Sequence, residues 1–178
     1  MYAGITGFDA ANLAAVNAKV DAVAKVDADT VPEVQALADA GNTTADTALE
    51  KIANYADSNA NPAPTVQDYI DAGITGVDAA NLAAVNAKVD AVAKVDADTV
   101  LEVPALAAAG NTTADTALEK IANYADSNAN PAPTVQDYID AGITGLDAAH
   151  LTAVNATVDA VSKADSYTCI SLPTLSIV

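Results

Sequence analysis

Apolar residues in this chain recur at helical spacing. Within residues 78–94, Leu82, Val85, Val89 and Val92 follow one another at intervals of three, four and three, which is one apolar stripe on an α-helix. Asn81, Asn86, Lys88 and Asp90 fall mostly off that stripe. The spacing predicts a long helix from an Asp78 N-cap to about Lys94, with the intervening alanines offsetting the weaker helix propensity of valine. Thr99-Val100-Leu101-Glu102 then reads as a capping box that opens a short helix ending near Gly110. A third helix follows Asn111-Thr112-Thr113, with Leu118, Ile121, Ala122 and Ala125 along one side and Tyr124 at its edge. It stops in Asp126-Ser127-Asn128-Ala129-Asn130-Pro131-Ala132-Pro133, where the prolines and asparagines forbid regular structure. A fourth, short helix starts at Thr134, buries Val135, Tyr138 and Ile139, and ends at Gly142. Ile143 is the hydrophobic residue expected after a glycine C-cap. No window alternates with period two over the length of a strand, so the predicted class is all-α.

The pattern occurs more than once. Residues 72–140 repeat residues 3–71 with four changes in 69 positions: Phe8/Val77, Pro32/Leu101, Gln35/Pro104 and Asp39/Ala108. A third copy opens at Ala141 and breaks off. A fixed period of this length marks a repeat architecture of stacked or linked units. The second copy departs at one structurally important point. Pro32 sits in the first turn of its helix, where a missing N–H is harmless, whereas Pro104 lies deeper and should fray or shift the helix start. With the proline stretch as the seam, the predicted folding units are three-helix bundles at residues 45–94 and 114–163, with a short helix between them. The predicted divisions are a partial repeat over 1–44, a helical repeat over 45–113, another over 114–165 and an atypical tail over 166–178. Met1-Tyr2 stands where the second copy has Ile70-Asp71, and the repeat pattern decays after Asp165. The chain thus reads as a stretch of a longer repetitive protein whose terminal helices have lost partners and whose tail is degenerate or foreign. The alternative is that the tail is a genuine capping segment, since terminal repeats are often atypical.

Composition narrows the function classes. About a quarter of the 178 residues are alanine, with no Trp, one Phe and one Met, so each unit has only a thin core of Val, Leu, Ile and Tyr. The formal net charge is -17, with seven Lys and no Arg. Without a basic patch, binding to nucleic acid or to an anionic membrane surface is disfavoured. Nothing approaches the roughly 18 consecutive apolar residues of a membrane span. The start has neither a basic n-region nor an apolar h-region, so it does not read as a signal peptide. A single cysteine, Cys169, rules out an intramolecular disulfide framework.

Few residues suggest chemistry. His150 is the only histidine, and it replaces Asn12 and Asn81 of the other copies. A nucleophile–histidine arrangement would pair it with Ser162, Ser166 or Cys169, but no nucleophile elbow is present. Asp27 with Asp29, and Asp96 with Asp98, place two carboxylates in each inter-helix loop, where they are candidates for a hard cation such as Ca²⁺. The EF-hand pattern is missing, however, and the same residues end one helix and approach the N-terminus of the next, which is the reading the dipole rules favour. Asp137/Asp140 and Asp115/Glu119 sit at helical spacings and read as a solvated face. Gly73-Ile74-Thr75-Gly76 lacks the lysine of a phosphate-binding loop. Asn42-Thr43-Thr44 and Asn111-Thr112-Thr113 match the glycosylation pattern as accidents of capping sequence. Tyr55, Tyr69, Tyr124 and Tyr138 are candidate protein-binding anchors, since tyrosine is a frequent interface residue. At these spacings they also read as core, with the hydroxyl reaching solvent.

The run Pro-Thr-Val-Gln-Asp-Tyr-Ile-Asp-Ala-Gly-Ile-Thr-Gly-Val-Asp-Ala-Ala-Asn-Leu-Ala-Ala-Val-Asn-Ala-Lys-Val, residues 64–89, resembles α-helical repeats of very large secreted or surface-attached proteins of Gram-negative bacteria. Residues 29–37 are similar to those repeats as well. The order of a medium, a short and a longer helix also looks like the three-helix GA modules of bacterial surface proteins, some of which bind serum albumin. The resemblance implies a non-enzymatic spacer or adhesive module outside the cell, with a protein or cell-surface partner and no cofactor. Self-association through the terminal helices or Cys169 is compatible with it. The alternatives are a binding module for a host or matrix protein or for Ca²⁺, and, remotely, a small hydrolase using His150.

Overall fold

The computed structural model describes residues 4–7, 9–58 and 60–161. Among them regular structure is helical and no strand occurs. The order is α1 (Leu13–Asp21), a 3-10 turn (Lys25–Asp27), α2 (Val31–Asp57), α3 (Val66–Asp71), α4 (Leu82–Asp90), a second 3-10 turn (Lys94–Asp96), α5 (Val103–Asp126), α6 (Val135–Asp140) and α7 (Leu151–Asp159). The all-α class therefore holds. No helix among the described residues is long and apolar enough to cross a membrane. Met1-Tyr2, Phe8, Ser162, Ser166, Cys169 and the 166–178 tail lie outside the described residues.

Two predicted helices prove to be one. The short helix that was to end at Gly41 or Gly110 runs straight on through Asn-Thr-Thr, giving α2 27 residues and α5 24. Neither glycine adopts a positive φ. Instead each makes room for a neighbouring helix: a Cβ on Gly41 would stand 2.6 Å from the Val16 Cα, and one on Gly110 the same distance from the Val85 Cα. The threonines do not cap either. Thr43 and Thr44 turn their hydroxyls back to the carbonyls of Asp39 and Ala40 (3.1 and 3.0 Å), so the helix itself satisfies them.

The helix predicted over 78–94 is shorter than expected. Asp78 accepts from the backbone N–H groups of Ala80 and Asn81 (2.8 and 3.2 Å), and Asn81 Oδ1 accepts from Asp78 N–H (2.9 Å). That reciprocal turn delays α4 to Leu82. At its other end the chain leaves α4 at Asp90 and tightens into the 3-10 turn before Lys94 is passed. Pro104 acts as anticipated. Helix α2 starts at Val31 with a complete Thr30/Glu33 capping box, whereas α5 starts only at Val103, making Pro104 its second residue.

The glycine C-caps after α3 and α6 form as predicted. Gly73 and Gly142 have φ of 74° and 79°, and Ile74 and Ile143 N–H groups donate to the carbonyls of Tyr69 and Tyr138 (2.8 and 2.9 Å). This is the Schellman pattern. Ile139, however, is 38% exposed rather than buried, and of this short helix it is Tyr138, 1% exposed, that enters the core.

The chain divides into two compact units. The first holds the described residues up to Val77 together with Asn86–Ala108. In it α2 packs against α1, α3 and the 3-10 turn at Lys94–Asp96, through buried Ala38, Gly41, Ala45, Ala48 and Ile52 at alternating spacings of three and four. The second unit holds Asp78–Val85 and the described residues from Ala109 on. Its core stripe on α5 continues through Ala114, Ala117, Ile121 and Ala125.

Candidate functional site

The most constructed polar feature of each unit is a buried latch at the proline turn. In the first unit, α3 opens with Thr65 at its N-cap, and Asp68 closes a capping box with it. Asp68 Oδ2 accepts from Thr65 N–H (2.7 Å), Thr65 Oγ1 (2.6 Å) and Lys51 Nζ (2.5 Å). Burial pushes the Asp68 carboxyl up, but the hydrogen bonds from Lys51 and Thr65 outweigh it and hold the group below the ordinary carboxylate range. The cap fixes the start of α3 and so aims Tyr69 inward, where it is 0% exposed. The Tyr69 hydroxyl donates to Asn86 Oδ1 (2.6 Å), and Asn86 Nδ2 donates to the Pro64 carbonyl (2.9 Å). One amide thus ties a short helix, a proline turn and α4 together, with both of its ends satisfied.

The second unit contains the equivalent set. Tyr138 donates to Asn155 Oδ1 (2.7 Å), Asn155 Nδ2 donates to the Pro133 carbonyl (2.9 Å), and Lys120 pairs with Asp137 (2.5 Å). Asp137 is held down in the same way, with burial opposing and the bonds from Lys120 and Thr134 prevailing. Desolvation, with the charges of Tyr124 and Asp137 behind it, pushes the Tyr138 phenol up to about 12. Tyr69 moves in the same direction, chiefly by burial.

The sequence-derived candidates fall apart spatially. Tyr69 and Tyr138 are core residues, and their hydroxyls are spent inside the molecule rather than reaching solvent. Tyr55 and Tyr124 are half-buried and keep part of their surface. Asp27, Asp29, Asp96 and Asp98 are exposed on or just after the 3-10 turns. Among the described residues, no three His, Cys, Asp or Glu side chains gather into a group able to hold a metal ion. His150 precedes α7, with Nδ1 2.7 Å from Asp147 Oδ1, and the hydrogen bonds from His150 hold Asp147 below its usual range. Its proposed nucleophiles lie outside the described residues. The Asn42 amide nitrogen donates to the Gly7 carbonyl from mid-helix, which leaves it poorly placed as a glycan acceptor.

An open groove of about 590 Å³ runs beside α5 in the second unit, lined by Asp115, Thr116, Glu119, Lys120, Asn123, Asn130 and Pro131. It is wide open to solvent rather than enclosed, unlike the clefts that bury most of a small ligand. Asp115 and Glu119 border it, and its one ammonium is engaged by Asp137. Asn86 and Asn155 were missed in the sequence, where a polar residue between two valines reads as surface. The available signal was the tyrosine seventeen residues upstream of each asparagine. Comparison of the chain with family models, with curated proteins and with solved structures finds no match.

Proposed function

We propose that this chain is a non-catalytic structural and interaction segment: a helical spacer built from three-helix bundles, at residues 45–94 and 114–163, that recur every 69 residues. The bundle joins the C-terminal half of a long helix, the short helix after the proline turn, and the following helix of the α4 or α7 type. The observation that carries this reading is the latch, which occurs twice with the same residue types and nearly the same distances. Most of its polar groups are spent on holding helices together rather than converging on a site. Secretion or surface attachment in a bacterium follows from the resemblance of residues 64–89, with a protein or surface component as partner. The acidic, arginine-free composition suits a solvated connector that avoids nucleic acid.

Small-angle scattering tests the spacer reading. Chains lengthened by whole 69-residue copies should gain maximum dimension in proportion to copy number. Growth as the cube root of mass, as for a globule, would contradict it.

A further inference from the structure

Helices α1 and α4 have the same sequence, Leu-Ala-Ala-Val-Asn-Ala-Lys-Val-Asp, and α7 differs from them at only two positions. Differences in burial among the three therefore report what each is packed against. On α4, Asn86 is 8% exposed and Val89 0%. Asn86 is held between Tyr69 and Pro64, and Lys94 just beyond the helix donates to Asn54 Oδ1. On α7 the equivalent Asn155 is also 8% exposed and is held by Tyr138 and Pro133.

On α1 the same face is open. Asn17 is exposed, and its side chain has no hydrogen-bond partner among the described residues. Val20 is 36% exposed and Leu13 42%. The other edge of α1 is complete, with Ala15 and Val16 buried and Val16 against Gly41. The gap is therefore confined to the one face that, in α4, receives a tyrosine hydroxyl, a proline carbonyl and the end of a long helix.

We propose that this face of α1 is a docking surface for a further half-repeat of the kind formed by residues 45–71. The occupant is the C-terminal half of a long helix, a proline turn with a free carbonyl, and a short helix presenting a tyrosine hydroxyl. The chemistry is complementary on both counts. Asn17 offers an acceptor and a donor in the order that Tyr69 and Pro64 satisfy on Asn86, and Leu13 with Val20 offers the apolar strip beside them. A buried asparagine amide also discriminates, because an occupant without both partners leaves it unpaired. The inference rests on the reading of the chain as a series of interchangeable bundles.

The test uses the full chain, isotope-labelled and titrated with a synthetic peptide of residues 45–71. In a second form, the same segment is joined ahead of Ala3 to reproduce the Asp71–Ala72 junction. The Asn17 side-chain amide signals should move toward those of Asn86. Amide exchange at Val20 should slow roughly tenfold, the scale of one buried hydrogen bond. Asn17→Ala in the chain, or Tyr69→Phe in the peptide, should remove most of that protection. The proposal is overturned if Asn17 and Val20 are unchanged in the joined form while Asn86 and Val89 stay protected. A response that Asn17→Ala and Tyr69→Phe leave intact points to another occupant and overturns it as well. Free exchange at Asn86 itself in the parent chain would instead bring down the bundle reading on which the proposal stands.

Discussion

At Asn86 a polar amide sits within an apolar stripe, between Val85 and Val89, both 0% exposed. It is tolerated there because Tyr69 and Pro64 satisfy both ends of the amide; unpaired, it would be a costly buried group. Asn86→Ala should therefore destabilise the chain by about 1–3 kcal/mol, since it strands a phenol and a carbonyl. Tyr69→Phe should cost less, and urea unfolding measures both. A change within experimental error for Asn86→Ala would remove the latch from the account. Titration of the latch neighbours gives a second expectation. Asp68 and Asp137 have lowered pKa values, so the stability they contribute is present above the ordinary carboxyl value of about 4 and is lost as pH falls. Tyr138 is raised to about 12, so its contribution is complete below the ordinary phenol value of about 10. That contribution is lost as pH rises through the folded-state value. Melting temperature should consequently fall on both limbs, with Asp68→Asn flattening the acid limb and Tyr138→Phe the alkaline one. The burial of these tyrosines was legible from helical spacing. The internal bond of their hydroxyls was not, because it depends on an asparagine brought in by tertiary packing.

Among the elements, the capped short helices were the most legible, because Thr-x-x-Asp at one end and Gly-Ile at the other are local instructions that local bonds carry out. The fusion of two predicted helices into α2 and α5 was not legible. Gly-Asn-Thr-Thr locally reads as stop and start, and only the approach of another helix makes the glycine a contact point instead. Gly110→Ala separates the two roles. In an exposed helix this change would stabilise by up to about 1 kcal/mol. Here the added Cβ would stand 2.6 Å from both the Val85 Cα and Cγ2, so a loss of about 1–3 kcal/mol from overpacking is expected. A gain in denaturant midpoint would show that the helix approach is not tight. Pro104 illustrates the opposite case: a purely local rule foretold the later start of α5, and nothing tertiary overrode it.

For the whole molecule, the difficulty is stability with little material. Among the described residues alanine supplies 14 of the 24 buried hydrophobic positions and the net charge is -17, so hydrophobic burial per unit is small and self-repulsion opposes it. Repetition relieves this if each unit adds its own stability and an interface with the next. The most direct measurement is urea unfolding of a chain carrying one more complete 69-residue copy inserted after Asp140. If the units are interchangeable, the unfolding free energy should rise by about 3–10 kcal/mol, the span typical of that many residues. The denaturant slope should rise with it, in proportion to the added surface. An inserted copy that leaves the slope unchanged, or lowers the midpoint, would mean that the copies do not fold as equivalent units and would contradict the account.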